Sequence, residues 1–305
     1  MRTTLRTSGA ALRRLARVAA ATLALAMPAA CTMVRLESET QAYASATVLV
    51  GRVDGGVAGS PVVVGAYARD DAQWRLVHQV TLHEPGGYEL IVPHGEVVLF
   101  AFADRNGNGL HDDGEAAARY DAGQPVRAGG SGMVTGLDMT LGEAAVAVPR
   151  VAAAPRHDTQ VGALADLDDP GFSAASGVTG YWQPMTFFRE RGGNVYFLER
   201  YDPAKVPVLF VHGAAGSAQD FRALIAGIDR SRYQPWLFVY PSGAAIESMS
   251  HLLYWKLLNL QMRYRFERIA IVAHSMGGLV ARRFALDQGA QFPQWRLFVS
   301  LSTPW

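Results

Sequence analysis

At 272–278 the chain reads VAHSMGG, and this stretch decides the fold. The residues leading into it, RIAIVAH, form an apolar run of strand length. Those leaving it, GGLVARRFALDQ, read as a helix. The period changes at Ser275, between the small residues Ala273 and Gly277. A strand passing directly into a helix lifts the residue at the corner above the C-terminal edge of its sheet. Small neighbours relieve the crowding of so sharp a turn.

Working outward, VPVLFVHG (206–213) is a continuous apolar strand, as expected of a sheet covered on both faces. SAQDFRALIAGI (217–228) reads as an amphipathic helix with Ser217 as its N-cap. YQPWLFVYP is the next strand, 245–264 a long helix, and WRLFVSLS a last strand. Strand and helix alternate throughout, which predicts a parallel α/β sheet. Ahead of it, GYWQPMTFFRERGGNVYFLERYDP has two aromatic runs around Arg191-Gly192-Gly193 and predicts an antiparallel hairpin leading the unit.

Two motifs give this part a resemblance to the α/β-hydrolase family, and within it to lipases and esterases. One is Ala273-His274-Ser275-Met276-Gly277. The other is His212-Gly213-Ala214-Ala215-Gly216-Ser217, which follows the first strong strand. GGLVAR, the YPS at 240–242 and LSTPW at the end agree with them, and the resemblance covers about 206–305. It implies that Ser275 is the nucleophile of an acyl transfer and that the amides of Ala214 and Met276 stabilise the oxyanion. By the same resemblance His212, Gly213 and Gly216 support the oxyanion loop, Ala273, His274 and Gly277 shape the elbow, and neither histidine is the base. Ala273 stands where glycine is commoner in the family. The implied activity is carboxylic-ester hydrolysis through an acyl-enzyme, on an ester or lipid substrate, with no cofactor for the chemistry.

The family order is serine, acid, histidine, yet none of the eight histidines follows Ser275, and Asp287 lies inside the helix after the elbow. The sequence therefore predicts a C-terminally incomplete hydrolase, inactive as given, with its Asp and His beyond Trp305. The alternative is an inert surface protein that reuses the fold. Trp255, Leu257, Leu258, Leu260 and Met262 make the long helix strongly apolar. An acyl groove and ordinary core packing both account for them.

The first half has a different pattern. ATVLVGRV, SPVVVGAYA, WRLVHQVTL, YELIVP and EVVLFAFA are short strand-like runs separated by GG, GS and PGG turns, and GLDMTLG (136–142) could close the set. They predict a small antiparallel β-sandwich over 46–147, joined through a linker at 148–170 to the α/β unit at 171–305. Within it, DRNGNGLHDDGE (104–115) matches a twelve-residue calcium loop: Asp104, Asn106, Asn108, Asp112 and Glu115 supply side-chain oxygens, Leu110 a carbonyl, and Gly109 the sharp turn. Flanking helices are not expected, so the ion would be a structural Ca²⁺ between strands. An ion-free acidic hairpin is the other reading.

Composition bounds the rest. The chain has 305 residues, half of them apolar and 18% charged, enough for one large or two ordinary domains. Residues 1–30 hold Arg2, Arg6, Arg13, Arg14 and Arg17 and no acid; without them 23 basic residues face 27 acidic ones. No basic patch then argues for nucleic acid. Those thirty residues read as a secretory signal, with the apolar run VAAATLALAM (18–27) too short to span a bilayer. Cys31, the only cysteine, follows PAA and resembles the lipidated cysteine of bacterial lipoproteins. That resemblance implies export and membrane attachment at the cell envelope through an N-terminal lipid anchor.

Overall fold

A computed structural model describes residues 33–56, 59–71, 73–130, 132–142, 146–151 and 160–305. The expected leader, Cys31 and part of the expected linker lie outside the described residues.

Among the described residues helix α1 (33–44) comes first. Nine strands follow: β1 (Thr47–Gly55), β2 (Val62–Asp70), β3 (Gln73–Leu82), β4 (Gly87–Val92), β5 (Gly95–Ala103), β6 (Ala117–Arg119), β7 (Val126–Ala128), β8 (Gly132–Val134) and β9 (Met139–Leu141). One sheet runs β4-β1-β8 with β9 also on β1; the other runs β3-β2-β5-β6 with β7 also on β5. Residues of β1 alternate between core and surface, as a half-buried strand must. Leu49, Val53, Val64, Leu82, Leu90 and Leu99 fill the space between the sheets. Strand β2 is buried on both faces, because Val63 and Tyr67 pack with Phe100 and Phe102 under Val148.

The sandwich is not wholly antiparallel. Strands β8 and β9 both run parallel to β1, at 47–49 and 53–55 respectively. The chain reaches β8 from β7 on the opposite sheet, and such a crossing delivers a parallel partner where a hairpin would deliver an antiparallel one.

The second part consists of β10 (Ala163–Leu164), α2 (Ala174–Trp182), α3 (Pro184–Arg191), β11 (Asn194–Phe197), β12 (Val206–Val211), α4 (Arg222–Gly227), β13 (Tyr233–Val239), α5 (Ile246–Tyr264), β14 (Ile269–His274), α6 (Met276–Gln288) and β15 (Trp295–Leu301). Its sheet has the order β10-β11-β13-β12-β14-β15. Pairs from β13 through β15 are parallel, while β11 runs antiparallel to β13. Leu253, Leu257, Val280 and Phe284 of α5 and α6 cover one face. Phe172, Phe187, Phe221 and Ile225 cover the other. The chain is thus α/β, an antiparallel-rich β region followed by a mostly parallel sheet with helices on both faces.

The expected hairpin is absent: 174–191 is two helices, and only NVYF becomes a strand. Ser173 caps α2 by accepting the Ser176 N–H, and Pro184 opens α3. Gly192, at φ 71°, ends α3. The aromatic residues that suggest strands instead sit on a helical face, with Met185, Phe187 and Phe188 buried. The expected helix over 217–228 is a 3₁₀ turn, Ala218–Phe221, followed by the short α4.

Helix α1 is tied to both parts. Glu39 accepts the Thr186 N–H and hydroxyl at the start of α3, both at 2.8 Å. Arg35 bonds Gln183, and Tyr43 packs on Phe188. Ala42 and Tyr43 also pack against the buried cluster that holds Ile91 of β4, as does Leu252 of α5. Among the described residues no helix is long and apolar enough to cross a membrane.

Candidate active site

Strand β14 delivers Ser275 to the corner that begins α6. Its backbone sits at φ 50°, ψ −125°. An L-residue in such a region costs about 1–3 kcal/mol, and it persists only where the surroundings over-determine it. Here the Ser275 N–H donates to the Leu301 carbonyl at 2.8 Å, and the Ser275 carbonyl accepts the Gly278 N–H at 3.0 Å. A side chain at Gly277 would collide with the His212 carbonyl and stand 2.5 Å from the Val211 carbonyl. Ala273 is fully buried. The small residues around the elbow therefore let α6 start hard against the end of β12.

The HGAAGS loop lies alongside. A Cβ at Gly213 would stand 2.9 Å from Ser275 Cβ and 3.3 Å from His274 Nδ1. Gly216 donates to the Gly213 carbonyl at 3.1 Å and closes the turn. Ser217 and Asp220 then form a capping box, with the Ser217 N–H 2.8 Å from Asp220 Oδ2. Ala215 is at φ 52°, and its N–H donates to Ser242 Oγ at 3.0 Å. Ala214 is exposed. No hydrogen bond takes the Ala214 or Met276 N–H among the described residues.

His212 is buried with both ring nitrogens engaged. Nδ1 lies 3.0 Å from the Gly213 carbonyl, and Nε2 lies 3.5 Å from the Tyr240 amide. A carbonyl only accepts and an amide N–H only donates, so the neutral ring protonated at Nδ1 satisfies both. The ring stacks on Tyr240, whose hydroxyl donates back to the His212 carbonyl at 2.7 Å. Burial pushes the His212 pKa down to about 4 and drives that of Tyr240 upward. A ring so occupied cannot take a proton from Ser275. His274 is exposed, and no hydrogen bond joins it or any other histidine to Ser275 Oγ among the described residues.

Sequence reasoning missed α2 and Ser242. Helix α2 lies on this loop, since a Cβ at Gly177 would collide with the Gly216 carbonyl and come within 2.8 Å of that of Ala215. On the next loop the Gly243 N–H donates to the Gly180 carbonyl at 3.0 Å. The small residues of AASGVTG were the available signal for α2, and Ser242 was in view only as the end of YPS at 240–242. In the long helix Leu257 and Leu260 belong to the core, which is the packing alternative, and Trp255 turns toward Glu89 of β4. A cavity of about 540 Å³ lies there, between the sandwich and α5, and Ser275 does not line it.

The 104–115 loop is closed by its own hydrogen bonds. Asp104, buried, accepts the Gly109 N–H at 2.9 Å. Asp112 accepts from the Asn106 and Asn108 side-chain amides and from Arg150. The two amides, and then Arg150, hold its carboxyl below the usual carboxylate range. Glu115 accepts the N–H groups of Arg105 and Asp112, and Leu110 donates to Asn108. Among the described residues no three His, Cys, Asp or Glu side chains converge to hold a metal ion. An ion bound here would have to draw Asp112 away from its amide and Arg150 partners.

No family model matches the chain, and neither does any curated protein. Among solved structures it is similar to a lipase of Bacillus licheniformis, at 22% identity and a TM-score of 0.31, over 35% of this chain and 44% of that one. It is also similar to a carboxylesterase structure from the ammonia-oxidizing thaumarchaeon Nitrososphaera gargenis, at 16% identity and a TM-score of 0.29, over 37% of this chain and 42% of that one. The chain thus spans less than half the length of the solved structures it matches.

Proposed function

We propose that this chain carries the nucleophile and oxyanion half of a serine hydrolase acting on carboxylic esters, of lipid or acylglycerol type. The observation that carries the reading is the strained Ser275 corner with Gly213 of the HGAAGS loop directly beside it. In this reading Ser275 Oγ attacks the ester carbonyl, and the Ala214 and Met276 amides receive the developing oxyanion. A general base takes the Ser275 hydroxyl proton and returns it to the leaving alcohol, and water then cleaves the acyl-enzyme ester to release the acid and restore the Ser275 hydroxyl. No histidine among the described residues is bonded to Ser275 Oγ, and in this reading the base and its acid partner are assigned to none of them. His212 serves the loop, and Cys31 and the leader serve export and anchoring at the cell envelope. Calcium, if held by 104–115, is structural.

The absence of a histidine bonded to Ser275 among the described residues favours a second reading, an inert surface protein. One experiment separates them. The native polypeptide containing residues 1–305 is assayed on p-nitrophenyl butyrate and reacted with a fluorophosphonate probe, beside its Ser275→Ala form. Hydrolysis and labelling that both vanish in Ser275→Ala support the esterase. Hydrolysis that survives the substitution, or no reaction in the native polypeptide, rejects it.

A further inference from the structure

We infer that Ser242 is a positioning residue that holds the oxyanion loop open to substrate. This deepens the esterase reading and rests on it. Ser242 follows the C-terminal end of β13, and only 2% of its surface is exposed. Its hydroxyl oxygen accepts the Ala215 N–H at 3.0 Å, across 27 positions of sequence. Ala215 is a non-glycine residue at φ 52°, a conformation that its Cβ opposes. Something must therefore hold it.

Two contacts do so. From the sheet side, Ser242 takes the Ala215 N–H. From the other, α2 abuts the Ala215 and Gly216 carbonyls through Gly177, which has no side chain to intervene. Loop 240–244 and α2 are themselves joined by the bond from the Gly243 N–H to the Gly180 carbonyl, so both contacts belong to one interlocked block.

The consequence lies in where the loop's N–H groups go. The Ala215 N–H is spent on Ser242 and that of Gly216 on Gly213, while that of Ala214, next in the chain after the Gly213 that abuts Ser275, finds no acceptor among the described residues. With the Ser242 hydroxyl removed, Ala215 loses the bond that offsets its left-handed backbone. The turn can then relax and carry the Ala214 N–H out of line. Ser242 touches neither substrate nor the reacting atoms; it acts through Ala215.

The test compares the native polypeptide with its Ser242→Ala and Ser242→Cys forms. Amide hydrogen exchange across 213–217 and steady-state hydrolysis of p-nitrophenyl butyrate are both measured. Ser242→Ala is expected to speed exchange at Ala215 about tenfold or more. It is also expected to lower kcat about 10- to 100-fold, with KM and the pH profile unchanged. Ser242→Cys, of similar shape but a weaker acceptor, should fall between the two in both measurements, and it carries the test alone if the alanine form does not fold. Exchange at Ala215 that no substitution alters, or a loss confined to KM, overturns the inference. If the native polypeptide hydrolyses no ester, the esterase reading fails, and exchange at Ala215 by itself decides whether Ser242 holds the loop.

Discussion

Glu89 of the sandwich and Lys256 of α5 form an ion pair at 2.7 Å across the junction between the two halves of the chain, with 4% of the lysine side chain exposed. The other Glu89 oxygen accepts the Trp255 indole N–H at 3.0 Å. A lysine stem buried here covers apolar surface while its charge is neutralised from the opposite side. The cost of taking both ions out of water is offset only while both are present.

Removing one partner should therefore cost far more than removing both. Lys256→Ala is expected to destabilise the protein by about 3–5 kcal/mol, because it strands the Glu89 carboxylate. Lys256→Met combined with Glu89→Leu should recover most of that loss. Urea denaturation of the three forms gives the comparison. A double variant no more stable than Lys256→Ala would mean that the pair itself supplies the stability.

Acid should weaken the fold through two histidines. His78 accepts the Ile91 N–H at Nδ1 and lies 3.3 Å from the Arg189 carbonyl at Nε2, joining the sandwich to α3. Burial lowers its pKa from 6.5 to about 4, as it does for His212. Each folded-state value is depressed, so the unfolded chain binds these protons first as pH falls. The stability they contribute is present above pH 6.5, declines between 6.5 and 4, and is gone below about 4. At its fullest it is on the order of 3 kcal/mol per histidine. Denaturation measured from pH 7.5 to 4 should show the fall, and His78→Gln should make it shallower. A slope unaffected by that substitution would exclude His78.

Calcium, if the 104–115 loop takes it, must compete with the loop's own hydrogen bonds. An ion bound at one hundred times its Kd adds about 2.7 kcal/mol. Thermal unfolding with calcium against EDTA should show a rise of several degrees, lost in Glu115→Gln. Arg150→Ala should strengthen calcium binding, because Arg150 occupies Asp112 Oδ1 at 3.0 Å. Identical midpoints at millimolar calcium and in EDTA would leave the loop closed by hydrogen bonds alone.

The fold was legible wherever one period ran long enough. The alternation in β1 marks a half-buried strand, the unbroken VPVLFV of β12 marks a sheet covered twice, and the switch of period at Ser275 marks the joint of β14 and α6. The helices over 174–191 were not legible, since two short aromatic runs about a glycine pair carry too few residues to tell the periods apart. At the candidate site the sequence could bring Ser275 and the HGAAGS loop into view, since each is a local pattern. It could not pair Ala215 with Ser242 or Glu89 with Lys256. Those contacts depend on how distant segments pack, and their residue types are ordinary where they stand.

The docking of α1 has a mechanical consequence. A helix that begins at 33 and is bonded through Arg35 and Glu39 to the start of α3 has no swivel in its first two turns. The orientation of α1 is thereby coupled to the sandwich and the parallel sheet together, and a pull on α1 loads its bonds to Gln183 and Thr186 before either core.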